Sequence, residues 1–175
     1  NLGWLYGPFI LLILVGSSNA VNLTDGLDGL AASLSIVAFI AFGLISMVVG
    51  KIELAFFIML LFGSILGFLV FNVYPAKIFM GDIGSLSIGA VMGMIAILTH
   101  KELTLLVVAG VFVVETISVI LQNFWMYFFH RKLFLMTPLH HNLEKKGWME
   151  PDIVKFFLVI GFILSMAGIY YGVWL

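Results

Sequence analysis

Long apolar stretches alternate with short polar links along the whole chain. A helix needs roughly 20 mainly apolar residues to span the hydrocarbon core of a bilayer, and six stretches approach or exceed that length: 4–18, 30–49, 53–71, 84–98, 103–129 and 153–174. Even the stretch that contains Glu115 should insert, because one central acid costs about 2.5–3.5 kcal/mol and the surrounding Leu, Ile, Val and Phe residues outweigh it. The pattern predicts an all-α polytopic integral membrane protein with about six transmembrane helices.

Six crossings would place the polar links alternately on the two sides of the membrane. The links 19–29, 72–83 and 130–152 fall on one side, and the short links 50–52 and 99–102 fall on the other. The first side, with the residues just beyond it, holds most of the basic residues: Lys77, Arg131, Lys132, Lys145, Lys146 and Lys155. By the positive-inside rule, this side is predicted to be cytoplasmic.

The composition excludes several classes of protein. Of the 175 residues, 63% are hydrophobic and 10% are charged, which is far from the values of a soluble domain. The 8 basic and 9 acidic residues balance, so no nucleic-acid partner is indicated. The lack of cysteine excludes a disulfide framework, a thiol nucleophile and cysteine-ligated metal sites. Since no repeat or soluble linker interrupts the pattern, residues 1–175 are expected to form one membrane domain.

Small residues recur at a spacing that favours close contact between helices. Glycines four residues apart share one helix face and let a neighbouring backbone approach. Three such pairs predict close helix packing: Gly63/Gly67, Gly89/Gly93 and Gly168/Gly172.

The first link on the predicted cytoplasmic side concentrates polar residues suited to chemistry. It contains Asn22, Asp25 and Asp28 in the sequence Asn-Leu-Thr-Asp-Gly-Leu-Asp-Gly. The simplest interpretation is a turn with a helix cap, which needs only one acid. Two carboxylates three residues apart can also share one face of an opening helix, where they could bind a metal, accept a proton or accept hydrogen bonds from a sugar or base.

The second link ends in Gly-Asp-Ile-Gly-Ser, residues 81–85, just before an apolar stretch. Free backbone N–H groups and the positive end of a helix dipole suit a phosphate at such a place. Asp82 could hold Mg²⁺, which prefers carboxylate, water and phosphate oxygens. A glycine turn capped by an aspartate would give the same pattern, and Phe79 is more typical of a core than of a stacking surface.

The third link contains His140 and His141 directly after a Pro-Leu pair. Adjacent histidines point in different directions, so one could meet a phosphate or base while a second partner holds the other. A zinc site is only weakly indicated, because the i, i+4 spacing of paired histidine ligands is missing. Within 103–129, Glu115 and Gln122 share a polar helix face. Gln122 could reach a ligand at the cytoplasmic end, whereas Glu115 is expected to support the structure from within.

Three stretches of this chain, 19–30, 79–85 and 138–148, closely resemble motifs of the phospho-N-acetylmuramoyl-pentapeptide-transferases. These belong to the polyprenyl-phosphate N-acetylhexosamine-1-phosphate transferase family. The motifs occur in the family's order, each in the matching loop. The resemblance spans essentially the whole chain but only the carboxyl-terminal half or so of a family member, whose fold has roughly ten helices. It implies a single transmembrane catalytic domain that lacks the family's amino-terminal helices.

The resemblance implies a reaction and a set of residues that carry it. The implied reaction is the Mg²⁺-dependent transfer of phospho-MurNAc-pentapeptide from UDP-MurNAc-pentapeptide to undecaprenyl phosphate, which gives lipid I and UMP in peptidoglycan synthesis. By motif position, Asp82 is the implied Mg²⁺ ligand. The implied uridine-pocket residues are Asp28, Asn72 and Phe79, with Phe79 stacked on uracil. The other implied residues are Asp25, His140 and His141, which are catalytic, and Gln122 and Asn22, which contact or support the substrate.

The resemblance also implies where the enzyme works and with what. It places the active site on the cytoplasmic face of the bacterial inner membrane, where the protein contacts membrane lipid and, like other family members, forms a homodimer. Two alternatives are kept open. One is another UDP-N-acetylhexosamine polyprenyl-phosphate transferase. The other is a membrane transporter, which an acid in mid-membrane such as Glu115 would suit.

Two departures from the family pattern matter. Asn142 stands where the family has the third histidine of the last motif, and the family's adjacent Asp-Asp pair, which lies on earlier helices, has no counterpart in this chain. We therefore expect the 175 residues by themselves to release no UMP from the nucleotide donor. Robust lipid I synthesis by this chain alone would contradict that expectation.

Overall fold

The computed structural model describes residues 3–174, and its regular structure there is helical throughout. A 3₁₀ turn, Gly3–Leu5, precedes these helices: α1 (Tyr6–Thr24), α2 (Leu30–Val48), α3 (Ile52–Asn72), α4 (Gly81–Thr99), α5 (Glu102–Val108), α6 (Gly110–Phe129), α7 (Leu139–Lys145) and α8 (Glu150–Trp174). In this part of the chain, six helices are long and apolar enough to cross a membrane, namely α1 with its preceding turn, α2, α3, α4, α6 and α8. The predicted all-α class and the number of spans are confirmed.

Helix α2 is the centre of the bundle. It packs against α3, α4 and α8, and its large side chains are enclosed, with Phe39 and Phe42 exposed by only 1% and 0%. A helix that is apolar on all sides and carries no charge is suited to such a position. By contrast, α1 and α3 expose large apolar side chains such as Leu12 and Leu60. These outer helices present the kind of surface that a bilayer covers.

Most helix ends fall within a few residues of the predicted spans, but α1 and α4 extend into the polar motifs. Helix α1 continues to Thr24 instead of ending near residue 18. Along this extension, Asn19 and Thr24 donate side-chain hydrogen bonds to carbonyls four residues earlier in the same helix, at 2.8 Å each, so their polar groups are satisfied within it. Helix α4 begins at Gly81, so the Gly-Asp-Ile-Gly-Ser motif forms its first turn.

The predicted single span over 103–129 is wrong. The helix breaks at Ala109 into α5 and α6. The break adjoins Gly110, where a Cβ would lie 2.8 Å from Leu164 Cδ1 of α8. The missing side chain therefore leaves room for α8, which also packs closely on α5. An apolar sequence gives no polar residue to mark such a break.

Glycines bring α1 and α4 into close contact, as predicted for the pair Gly89/Gly93. A Cβ on Gly89 would lie 2.6 Å from Ser18 Cα and would also collide with the Ser17 carbonyl group. A Cβ on Gly93 would lie 2.5 Å from Ser17 Oγ. Since the obstacle at Gly89 is backbone, it cannot move aside as a flexible side chain can.

The other two glycine pairs differ in whether a neighbouring helix packs against them. On α8, Gly168 packs against Val108 of α5, and Gly172 packs against Ile45 of α2, so close packing is confirmed there. On α3, nothing lies within 4 Å of a Cβ on Gly63 or Gly67. The packing predicted for that pair is wrong for the described residues.

We expect Gly89→Ala to destabilise the protein by about 1–3 kcal/mol, because the added methyl group forces α1 and α4 apart. Gly63→Ala is the matched control. It adds the same methyl group to another membrane helix in open space, where alanine is the better helix former. Thermal unfolding in detergent measures both, and equal melting temperatures for the two variants would contradict the packing described here.

Candidate active site

The turn between α1 and α2, residues 25–29, is held by side chains from two other parts of the chain. The Gly29 N–H donates to Asn72 Oδ1 at the end of α3 (3.1 Å), and the Asp28 N–H donates to Glu150 Oε1 at the start of α8 (2.5 Å). In return, Asp28 Oδ2 accepts a hydrogen bond from the Ala76 N–H (2.9 Å). All three polar links therefore meet at one end of the bundle. The expected placement of both aspartates on an opening helix is wrong, because residues 25–29 are a turn.

A cleft of about 310 Å³ lies between this turn and the start of α4. It contains most of the site residues predicted from the sequence: Asn22, Asp25, Asp28, Asn72, Phe79 and Asp82. The rest of its wall is glycine and apolar side chains. The structure thus brings together the polar residues of the first two links, which are some 50 residues apart along the chain.

Asp82 is oriented by a short hydrogen-bonded chain. Asn22 Nδ2 donates to Asp82 Oδ1 at 3.1 Å and to Ser85 Oγ at 2.9 Å, and Ser85 Oγ donates to the Gly81 carbonyl at 3.1 Å. Asp82 lies in the first turn of α4, where the helix dipole stabilises a carboxylate. Asn22 therefore fixes one carboxylate oxygen and leaves Asp82 exposed at the cleft.

The cleft is negatively charged and lacks a cation of its own. No lysine, arginine or histidine lines it within residues 3–174. Partial burial, reinforced by the negative charge of Asp82, raises the pKa of Asp25 above its ordinary value. The negative charge that raises the proton affinity of Asp25 in this way also favours the binding of another cation in the cleft.

The donors in the cleft fit Mg²⁺. They are carboxylate and amide oxygens, the hard ligands that this ion prefers. Within residues 3–174, no group of three His, Cys, Asp or Glu side chains is arranged to hold a metal. Mg²⁺ commonly binds through one or two carboxylates, with substrate phosphates and water completing the shell. A site centred on Asp82, with few protein ligands, matches that pattern.

Phe79 and Asn72 occupy different surroundings in the cleft. Phe79 is 76% exposed, which excludes a place in the core of the described bundle and leaves its ring open to a ligand. Asn72 is buried, and both ends of its amide are occupied, because Oδ1 accepts from the Gly29 N–H and Nδ2 donates to the Ile78 carbonyl at 2.9 Å. Asn72 joins the first two links, and its predicted contact with uridine stays a prediction.

The two histidines lie apart from the cleft wall and differ from each other. His140 is fully buried and packs behind Gly26, a residue of that wall. His141 is partly exposed and pairs with Glu144, with 2.5 Å between Nδ1 and Oε2. Their ring centroids are only 4.3 Å apart, with the ring planes inclined by 57°, so the expected divergence of the two side chains is wrong. Their catalytic roles stay predictions.

Gln122 is also placed outside the cleft. Its Oε1 accepts hydrogen bonds from the Leu133 and Phe134 N–H groups at 3.0 and 2.9 Å, and its Nε2 donates to the Phe134 carbonyl at 3.2 Å. The side chain is committed to the link after α6 in this structure, and its predicted contact with a ligand stays a prediction.

Sequence reasoning missed Glu150 as part of this site. Its carboxylate accepts a hydrogen bond from the Asp28 N–H. Glu150 nevertheless lies outside all three motifs, two residues after the third one ends at Trp148. An acid in the first turn of a helix is ordinary, so the sequence carries no signal that this one reaches another loop.

We expect Gln122→Ala to expose the link after α6. Loss of the acceptor leaves two backbone N–H groups unsatisfied, so trypsin cleavage after Arg131 or Lys132 should accelerate roughly tenfold. Ser118→Ala is the control, because Ser118 is buried on the same face of α6 and bonds only within that helix. Equal cleavage rates in both variants would show that Gln122 does not hold this link.

Taken together, the fold and site define a multi-pass membrane protein with an acidic cleft suited to a metal ion at one end of its helix bundle. The family model described as glycosyl transferase family 4 matches residues 1–100. This chain belongs to that family.

Relatives extend the match over the remaining residues. The chain is 51% identical to a phospho-N-acetylmuramoyl-pentapeptide-transferase of Shouchella clausii and 49% identical to one of Geobacillus thermodenitrificans, each over 100% of this chain and 54% of the relative. It is 49% identical to one of Moorella thermoacetica over 97% of this chain. The chain thus spans about half the length of the curated relatives it matches. The resemblance drawn from the three motifs is confirmed.

Proposed function

We propose that this chain forms part of an enzyme that transfers phospho-MurNAc-pentapeptide from UDP-MurNAc-pentapeptide to undecaprenyl phosphate, giving lipid I and UMP. In this reaction an oxygen of the lipid phosphate forms a bond to the sugar-linked phosphorus of the donor. The bond from that phosphorus to the UMP oxygen breaks, and UMP leaves. The observation that carries the proposal is the shared cleft of Asp25, Asp28 and Asp82, in a chain about half identical to enzymes of this name.

The cleft residues divide the work of phosphoryl transfer, which consists mainly of positioning and charge neutralisation. When bound, Mg²⁺ supplies positive charge that stabilises the diphosphate and the departing UMP. Asp82 would hold the ion through the oxygen that Asn22 does not engage. Asp25 lies beside it as a further acceptor, and the exposed ring of Phe79 offers a stacking surface for uracil.

Asp28 and Asn72 shape the nucleotide end of the cleft. Each joins the first two links, through the Ala76 N–H and the Gly29 N–H respectively. One oxygen of Asp28 is used in this way, and the other would accept a hydrogen bond from uridine. His140 and His141 lie outside the cleft wall. His140 would support that wall through its contact with Gly26.

The charge distribution supports a cytoplasmic position of the cleft in a bacterial inner membrane. The end of the bundle that carries the cleft also carries most of the lysines and Arg131, which follows α6 closely. UDP-linked sugars are soluble anions of the cell interior, so an active site on this side would meet its donor there. The homodimer implied by the family resemblance stays a prediction.

The transporter alternative was suggested by an acid in mid-membrane, Glu115, and the surroundings of this residue do not favour it. Glu115 is fully buried and accepts hydrogen bonds from the backbone of α7, at Leu139 N (2.6 Å) and His140 N (3.2 Å). Its carboxylate is therefore committed to the structure rather than facing an open path. A transferase for another UDP-N-acetylhexosamine differs from our proposal only in the donor, which the assay below distinguishes.

The test is UMP release by a protein of the relatives' full length that contains this chain, supplied with UDP-MurNAc-pentapeptide, undecaprenyl phosphate and Mg²⁺. We expect Asp82→Asn to lower the rate at least roughly a hundredfold at any Mg²⁺ concentration, because the variant loses the charge that holds the ion. Asp152→Asn is the matched control, since this exposed aspartate at the start of α8 pairs only with Lys155.

Two results would count against the proposal. A near-normal rate for Asp82→Asn would remove Asp82 as the metal ligand. Faster UMP release with UDP-GlcNAc than with UDP-MurNAc-pentapeptide would assign the enzyme to another branch of the family.

A further inference from the structure

A fully buried pair of ionisable residues lies behind the cleft and outside its wall. Glu115 of α6 and His140 of α7 are both fully buried. Glu115 Oε2 and His140 Nδ1 of the ring are 3.4 Å apart. A buried carboxylate is costly in a membrane helix unless protein groups compensate it. The partners of this one indicate what it does.

Glu115 compensates its burial with backbone N–H groups of α7. Oε2 accepts from Leu139 N at 2.6 Å, and Oε1 accepts from His140 N at 3.2 Å. Both carboxylate oxygens thus accept hydrogen bonds from the first turn of a helix that is only seven residues long. A helix this short has little stability of its own, so the position of α7, and with it the His140 ring, depends on these two bonds together with its packing on α6 and α8.

The other edge of the His140 ring faces the first link. A Cβ on Gly26 would overlap His140 Nε2 and lie 3.2 Å from Cε1. Only glycine permits this approach, and Gly26 lies between Asp25 and Asp28 in the turn that lines the cleft. Neither ring nitrogen has a hydrogen-bond partner within residues 3–174. The ring therefore acts on the turn by contact.

We propose that Glu115 is a positioning residue for the candidate active site. Its carboxylate fixes the first turn of α7, the His140 ring then supports Gly26, and Asp25 and Asp28 are held at the cleft as a result. That these aspartates serve phosphoryl transfer rests on the proposed function, whereas the mechanical coupling from α6 to the turn does not.

Hydrogen exchange followed by mass spectrometry tests the coupling in a protein that contains this chain, reconstituted in lipid nanodiscs. We expect Glu115→Ala to accelerate exchange roughly tenfold in two places, α7 and residues 25–29, although these lie far apart in the sequence. Ser118→Ala is the control on the same buried face, and it should leave both segments unchanged. Faster exchange in α7 alone would overturn the proposal, because Glu115 would then have only a local structural role.

A second variant approaches the contact from the other side. Gly26→Ala should push the His140 ring away and accelerate exchange in α7, whereas Gly63→Ala, which adds a methyl group in open space, should not. If Glu115→Ala does not fold, Glu115→Gln takes its place. Glutamine keeps the shape and one acceptor oxygen, so it should give a smaller acceleration in the same two segments. Unchanged exchange in α7 for Gly26→Ala would also overturn the proposal.

Kinetics separate this proposal from the proposed function. If the wild-type protein releases UMP, Glu115→Gln should lower kcat more than it raises KM for the nucleotide, because misplaced carboxylates impair the reaction more than donor binding. A drop in folded protein with unchanged kcat would contradict positioning. If the wild-type protein releases no UMP while exchange still couples the two segments, the proposed function fails and the coupling stands.

Discussion

Backbone N–H groups of a tight turn need acceptors, and in this protein the acceptors come from distant helices. The turn 25–29 joins the ends of two membrane helices, so it has few neighbours in its own sequence to satisfy it. Asn72 and Glu150 accept its N–H groups, and Asp28 accepts one from the second link. These three hydrogen bonds bring the polar links to one point. The cleft exists because that requirement is met by side chains from α3 and α8.

The polar residues at this end of the bundle then fall into two groups. Asn72, Glu115 and Gln122 are buried and spend their hydrogen-bonding capacity on backbone groups, so they hold the links in place. Asp82 and Phe79 are exposed at the cleft and keep the capacity to meet a ligand. This division suits phosphoryl transfer, in which groups held rigidly in position stabilise charge without having to reorganise.

Much of this arrangement could be predicted from the sequence, and the errors have physical causes. Alternating spans placed Asp25, Asp28 and Asp82 at one end, and the cleft contains all three. Helix α1 runs past its predicted end since the polar group of Asn19 is satisfied within the helix, and the break at Ala109 escapes prediction because no polar residue marks it. The burial of His140 and the commitment of Gln122 depend on contacts between distant segments, which residue type alone does not reveal.

Cysteine cross-linking tests most directly whether the three links meet. The chain has no cysteine, so introduced pairs are its only thiols. With a short bifunctional thiol reagent, Asp28→Cys should cross-link to Ala76→Cys and to Glu150→Cys within the same chain. It should not cross-link efficiently to Asp152→Cys, which lies in the same helical turn as position 150 but at an exposed site. Cross-linking to position 152 that matches or exceeds that to positions 76 and 150 would contradict the convergence on which the cleft depends.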